Sequence, residues 1–189
     1  MSTTTAATPE SRQADIEARR LRNALGSCPT GVVIVTAFDA HAGRLGMTIN
    51  SFTSVSLDPP LVMFSIDRRA LGLPAWLRAA GYAVNVLAAG QEHVSNQFAR
   101  ARNDKWKDVR FAAGLHGAPL LEGALARFEC SPHRTFDGGD HVIFCARIER
   151  YTCDDDAAPL VFHRGRYGIV SPSSAAGIPP PVWPLPIHY

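Results

Sequence analysis

The segment Gly46–Leu61, GMTINSFTSVSLDPPL, is the most informative part of this chain. On extended backbone, Thr48 and Asn50 would present donors and acceptors on one side of the strand. Met47 and Ile49 would then pack on the other side. Short hydroxyl or amide side chains are frequent here: Thr48, Asn50, Ser51, Thr53, Ser54 and Ser56. Taken alone, these residues favour a Ser/Thr-rich edge strand and loop.

The sequence on either side of this segment has further strand signals. Gly31–Phe38 is largely β-branched and apolar, which predicts a buried strand. Asp39–Arg44 contains Gly43 and predicts a hairpin loop. The alternation breaks near Ser51, which predicts a bend. The other predicted strands are Leu45–Asn50, Phe52–Leu57, Leu61–Ile66, Tyr82–Leu87, Ala124–Ser131, His141–Thr152, Leu160–His163 and Tyr167–Val170.

Three helices are predicted between these strands. They are Ile16–Leu25, Leu71–Ala80 with Pro74 near its first turn, and Gln91–Ala101. A loop is expected from Pro132, including a turn at Phe136–Asp140. Many short strands with few helices between them indicate a mainly β protein with helical additions. We therefore expect a closed antiparallel barrel.

Composition limits the classes of protein to consider. The 189 residues predict one domain at 15–170, preceded by a disordered N-terminus at 1–14 and followed by a Pro-rich tail at 171–189. A net charge of +2 without a basic run gives no reason to expect nucleic acid. No segment predicts a membrane span or a secretory signal. Four cysteines without a CxxC pair predict reduced thiols and a cytoplasmic protein.

An ordered set of short motifs resembles the short-chain flavin reductases, the reductase components of two-component flavin-dependent monooxygenases. The resemblance covers residues 21–170, and the whole set is far more specific than any one motif. The motifs are Pro29–Val32, Gly46–Leu61, Val84–Leu87, Gln97–Ala99, Asp104–Lys105, Pro119–Ala124, Phe128–Cys130, Gly139–Phe144, Pro159–Phe162 and Gly165–Tyr167.

The resemblance implies a split β-barrel of the FMN-binding type, usually a homodimer with flavin near the subunit interface. It implies that FMN or FAD is reduced by NADH or NADPH, and that reduced flavin passes to a separate oxygenase. The polar segment suits a flavin, whose ring edge, ribityl hydroxyls and phosphate all need hydrogen-bonding partners. NADH cannot be distinguished from NADPH here, nor FMN from FAD.

Site residues follow from the same resemblance. A phosphate role would fall to Arg68 or Arg69, which otherwise lie in a solvated loop. The residues implied to contact the cofactors are Met47, Thr48, Ile49, Asn50, Ser51, Ser54, Ser65, Ile66, Arg68, Arg69, Phe98, Lys105, Asp140, His141 and Tyr167. Phe98 and Tyr167 are equally compatible with a core position, and Lys105 with a solvated charge.

The Gly138-Gly-Asp-His141 sequence is the second informative motif. Its two glycines permit a tight turn and a close backbone approach. The resemblance implies that His141 contacts the nicotinamide nucleotide, and we expect it to position that nucleotide. Hydride would pass directly between the two cofactors, so no acid, base or nucleophile is required. Alternatively, Asp140 caps the turn and His141 is hydrogen-bonded at the barrel mouth.

The same residues are compatible with other functions. The spacings Cys130-x-x-His133 and His141-x-x-x-Cys145 are found among zinc ligands, but strand geometry separates each pair, so no metal site is predicted. Two alternatives share the barrel. One is a flavoprotein that reduces another acceptor, such as a corrin cobalt or a ferric complex. The other is a non-catalytic flavin-binding protein.

Overall fold

The computed structural model describes residues 9–100 and 104–170. The Pro-rich tail at 171–189 and the disorder expected for residues 1–8 lie outside the described residues. Within them the protein is mainly β with helical additions. The helices are α1 (Pro9–Leu25), α2 (Leu73–Arg78) and α3 (Glu92–Ala99). The strands are β1 (Thr30–Gly31), β2 (Val33–Asp39), β3 (Gly43–Ile49), β4 (Thr53–Leu57), β5 (Pro60–Asp67), β6 (Tyr82–Val86), β7 (Phe111–Ala113), β8 (Pro119–Leu121), β9 (Ala126–Gly138), β10 (His141–Cys153), β11 (Leu160–His163) and β12 (Arg166–Ile169).

Seven strands form one antiparallel sheet in the order β3-β2-β6-β9-β10-β5-β4. Its edge strands, β3 and β4, are consecutive in the chain and are joined by residues 50–52. In a flat sheet the two edges would lie about 29 Å apart. Four Cα steps from Ile49 to Thr53 span at most about 15 Å. The sheet is therefore rolled into a barrel that is split between β3 and β4.

The rolled sheet encloses the larger of two hydrophobic clusters. Alternate residues of β2, including Val33 and Val35, point into it together with Phe64 and Phe144. The next residue along β2, Ile34, points the other way into a second cluster, which α3 covers through Phe98. Because β2 is buried on both faces, its sequence is almost continuously apolar.

Two predicted boundaries are wrong. Helix α1 begins at Pro9 rather than Ile16, so it includes residues 9–14. The loop predicted from Pro132 is instead strand, because β9 continues to Gly138. Pro132 is accommodated by a bulge: Arg134 lies opposite Cys145 and Pro132 opposite Ala146, which leaves His133 as an extra residue.

Most other elements agree with the sequence prediction, with ends shifted by a few residues. Helix α2 has Pro74 in its first turn, as expected. The predicted helix Gln91–Ala101 is observed as α3, and Ala101 lies outside the described residues. The sequence pattern does not predict β1, β7 and β8, which have two or three residues each. All four cysteines are free thiols. In the described part of the chain, no helix is both long and apolar enough to cross a membrane.

Candidate functional site

A cleft of about 1190 Å³ opens beside the split in the barrel. It is lined by Asn50, at the bend after β3, and by His141, at the start of β10. These residues are 91 positions apart in the chain, and both are predicted cofactor contacts. The cleft is larger than the roughly 300–1,000 Å³ of a pocket for one small ligand.

Thr30 gives the cleft an unused hydrogen-bonding group. Its hydroxyl oxygen is buried at the cleft wall and has no hydrogen-bond partner among the described residues. A buried hydroxyl without a partner costs roughly 1–3 kcal/mol. A polar ligand in the cleft would remove that cost. The chemistry of the lining, with this hydroxyl, the Asn50 amide and the His141 imidazole, fits the polar edge of a flavin.

Strand β3 presents its two sides as the sequence predicted. Met47 and Ile49 pack against the barrel core. Thr48 faces the opposite side, where helix α3 covers it, and its hydroxyl donates to the Ser95 carbonyl over 2.7 Å. The Thr48 hydroxyl therefore joins β3 to α3. Asn50 follows the end of β3 and is exposed at the cleft.

The serines expected near the flavin lie along the split. The Ser65 backbone N–H donates to the Ser51 hydroxyl over 3.0 Å, which links the bend to β5. Ser54 is exposed on the edge strand β4. Ile66 differs from the others because the residue is only 1% exposed and belongs to the barrel core. Ile66 is therefore not placed to contact a ligand directly.

Arg68 and Arg69, the predicted phosphate ligands, already have partners. Arg68 donates to the Gly139 carbonyl and to Asp137 Oδ1, each over 2.8 Å. Arg69 forms an ion pair of 2.7 Å with Asp67. The hydrogen bonds from Arg69 hold the pKa of Asp67 well below its ordinary value, and Arg68 lowers the pKa of Asp137. The two Arg68 contacts join the loop after β5 to the turn between β9 and β10.

The turn between β9 and β10 positions His141. Gly139 has φ of 73°, a conformation that favours glycine. His141 Nδ1 lies 2.7 Å from Asp140 Oδ1, so the neighbouring carboxylate orients the ring. The Asp140 carbonyl accepts a hydrogen bond from the Arg68 backbone N–H. The imidazole is thus held at the cleft by two strands.

Three further predicted contacts are used inside the protein. Phe98 is fully buried and packs edge-on against Trp106. Lys105 donates to the carbonyls of Gly46 and Phe98, and burial lowers the pKa of its ammonium group. Tyr167 lies 2.8 Å from the Ser95 hydroxyl. These residues support the strands that border the site, and the cleft lining does not include them.

The sequence analysis assigned no role to several residues that line the cleft. They include Arg22, Cys28, Thr30, Phe162 and Arg164. Thr30 belongs to the Pro29–Val32 motif, which was a usable signal. Arg164 precedes Gly165 in a hairpin turn, but nothing in the sequence places that turn beside His141. Within residues 9–100 and 104–170, no three His, Cys, Asp or Glu side chains are grouped as metal ligands would be.

Comparisons with known proteins agree with this arrangement. Residues 25–171 match the flavin reductase like domain. The chain is 38% identical over 153 residues to a flavin reductase of Pseudomonas putida, covering 81% of this chain and 90% of that protein. It is also 38% identical over 156 residues to the reductase component of the flavin-dependent trigonelline monooxygenase of Acinetobacter baylyi. That match covers 82% of this chain but only 50% of the relative.

A solved structure shares the fold. The NADH:FAD oxidoreductase of Streptomyces globisporus, in complex with NAD and FAD fragments, superimposes with a TM-score of 0.79 at 36% identity. The alignment covers 90% of this chain and 99% of that chain.

Proposed function

The chain belongs to the family of flavin reductase like domains, and we propose on this basis that it reduces FMN or FAD with NADH or NADPH. The reduced flavin is supplied to a separate monooxygenase component. Relatives named as a flavin reductase and as a monooxygenase reductase component support this activity. The related oxidoreductase in complex with NAD and FAD fragments supports both cofactors.

The observation that carries the proposal is the cleft itself. It joins Asn50 and His141 beside the split of the barrel, next to the unpartnered hydroxyl of Thr30. The Thr30 hydroxyl and the Asn50 amide bind the polar groups of the flavin. His141, oriented by Asp140, would position the nicotinamide nucleotide.

The protein contributes binding and orientation to this reaction. When both cofactors are bound, a hydride passes from the nicotinamide ring to the flavin ring. Holding two reactants in contact accounts for a large part of such a rate enhancement. The flavin-facing residues therefore act by position, and His141 acts as a positioning residue.

A homodimer is part of the proposal. The resemblance implies it, and Ser54 is exposed on the edge strand β4 beside the split, where a second subunit would enclose it. Sedimentation of the purified protein tests the dimer independently of activity. A cytoplasmic location also remains a proposal, drawn from the reduced cysteines.

The activity is tested by following NADH and NADPH oxidation in air, with FMN, FAD or no flavin added. Oxidation that saturates with one of the flavins supports the proposal and identifies both cofactors. Flavin binding without oxidation of either nucleotide would leave a flavin-binding protein and reject the reductase. Reduction of a cobalt or ferric acceptor without turnover of free flavin would favour the other alternative.

A further inference from the structure

We propose that Arg164, together with Arg22, forms a phosphate-binding rim on the cleft. The phosphates are those of a nucleotide cofactor, carried by either the flavin or the nicotinamide dinucleotide. This inference rests on the proposed function and specifies how its site takes the charged part of a cofactor. It replaces Arg68 and Arg69 as the principal phosphate ligands.

The backbone at Arg164 is the first indication. Arg164 and Gly165 connect β11 to β12 in a two-residue turn, and both have positive φ, 47° and 79°. Such turns favour Asn or Asp followed by Gly, because positive φ brings Cβ close to a carbonyl oxygen and the short polar side chains of Asn and Asp offset this by local hydrogen bonds. An arginine at the first position therefore has a cost of roughly 1 kcal/mol. Residues in sparsely populated conformations cluster at ligand sites.

The turn is also fixed in place against α1. The Arg164 backbone N–H donates to the Gly26 carbonyl over 2.9 Å. This bond anchors the tip of the hairpin at the C-terminal end of the helix, where Arg22 lies in the last turn. Arg22 and Arg164 therefore border the same cleft as His141.

A helix C-terminus carries partial negative charge, which by itself disfavours an anion. Here its acceptors are largely engaged. The carbonyls of Arg22, Ala24 and Leu25 accept hydrogen bonds from the backbone N–H groups of residues 26–28. The Gly26 carbonyl accepts from Arg164. The repulsion on an incoming phosphate is reduced accordingly.

Charge at the cleft distinguishes these arginines from the predicted pair. The cleft lining contains Arg22 and Arg164 and no carboxylate residue. Neither arginine forms an ion pair with any described residue, whereas Arg68 and Arg69 are paired with Asp137 and Asp67. A guanidinium group without a carboxylate partner can give both arms of its fork to a phosphate.

The test uses Arg164→Asn, since Asn suits the turn and removes the charge. Arg164→Lys keeps the charge, and Arg166→Gln is the matched control, an exposed arginine of the same hairpin outside the cleft. Quenching of flavin fluorescence gives Kd for FMN and for riboflavin, which lacks the phosphate. Calorimetry gives Kd for ADP-ribose, which carries the phosphates of the dinucleotide but cannot be oxidised.

We expect Arg164→Asn to weaken binding of FMN or of ADP-ribose by about 10-fold or more, as loss of a hydrogen bond to a charged group predicts. The affinity for riboflavin should not change. Arg164→Lys should weaken binding of the phosphate-bearing probe less than Arg164→Asn does. The thermal midpoint of Arg164→Asn should equal or exceed that of the wild type. Loss confined to FMN assigns the rim to the flavin phosphate, and loss confined to ADP-ribose assigns it to the dinucleotide.

Unchanged constants for both phosphate-bearing probes, or an equal loss for riboflavin, would overturn the inference. So would failure of the wild-type protein to bind either phosphate-bearing probe. A wild-type protein that binds these probes but oxidises neither NADH nor NADPH rejects the proposed function instead. In that case the binding constants still decide the role of Arg164.

Discussion

The hydroxyl of Ser51 accepts a 3.0 Å hydrogen bond from the backbone N–H of Ser65, across the bend that joins the two edge strands. The β4–β5 ladder starts with Thr53 opposite Met63, so Ser65 lies beyond its end. Ser51 therefore takes the place of a missing strand partner. The contact fixes residues 50–52, including the cleft residue Asn50, against β5.

Removing this hydrogen bond should weaken flavin binding more clearly than it lowers the stability of the fold. Ser51→Ala should weaken flavin binding by about 3- to 10-fold, because Asn50 loses its support. It should lower the free energy of unfolding by less than about 1 kcal/mol, since water can reach the Ser65 N–H. Fluorescence titration and urea unfolding measure the two quantities. Ser56→Ala is the matched control, and equal flavin affinity in both variants would contradict the account.

Thr30 predicts opposite changes in stability and affinity. Thr30→Val replaces the unpartnered buried hydroxyl with a methyl group of similar size. The flavin-free protein should become more stable by roughly 1–3 kcal/mol, and flavin affinity should fall by roughly 5- to 10-fold. Thermal unfolding without flavin and a binding titration provide the data. If affinity is unaffected, the hydroxyl does not face the flavin.

His141 should affect the nicotinamide nucleotide more than the flavin. For His141→Asn we expect kcat/KM for NADH to fall by roughly 10- to 100-fold, as misplacement of a reactant predicts. Flavin Kd should change less than about threefold. Asp140→Asn, which weakens the contact that orients the ring, should give a smaller loss in the same parameter. A loss limited to flavin binding would assign His141 to the flavin instead.

A side chain at position 46 should lower the stability of the fold, because Gly46 is closely packed. A Cβ at this position would overlap the ring of Phe98 and lie 3.1 Å from Trp106. Gly46→Ala should therefore destabilise the protein by about 1–3 kcal/mol. The matched control is Gly31→Ala, where an added Cβ meets no atom within 4 Å and the change should stay within about 0.5 kcal/mol. Urea unfolding compares Gly46→Ala with Gly31→Ala. Equal midpoints would show that the Phe98 ring moves aside for the added methyl group.

Asp39 predicts a dependence of stability on acid pH. Hydrogen bonds from Arg78, then from the Ala42 N–H, lower the pKa of Asp39 from its ordinary 3.8 to about 2. A depressed pKa stabilises the fold fully above pH 3.8, and this contribution is lost as the pH falls toward 2. Urea midpoints from pH 6 to pH 2 should therefore fall more steeply for the wild type than for Asp39→Asn. Parallel curves would contradict this role.

The alternation of apolar and polar residues predicted the strands well where burial of one face decides which residues are apolar. Strand β3 alternates because Met47 and Ile49 face the core while Thr48 faces α3, and the sequence shows this alternation. Pattern failed at Pro132, since a proline ends a strand only when no bulge can absorb its missing N–H group. That bulge depends on the partner strand and is not encoded locally.

The site was predictable in part. The family resemblance identified Asn50 and His141, which share the cleft. It could not show that the Lys105 ammonium group already donates hydrogen bonds to backbone carbonyls, or that Arg69 is already paired with Asp67. Those facts depend on contacts between distant residues. The unpartnered hydroxyl of Thr30 likewise becomes visible only after its neighbours are placed.

Hydride transfer from a nicotinamide nucleotide to a flavin is the reaction proposed for this protein. The most direct measurement is the bleaching of FMN or FAD absorbance by excess NADH or NADPH in the absence of oxygen, with and without the protein. The account predicts bleaching at a rate proportional to protein concentration, and a slower rate for His141→Asn. Bleaching no faster than in the protein-free mixture, with every pair of cofactors, would contradict it.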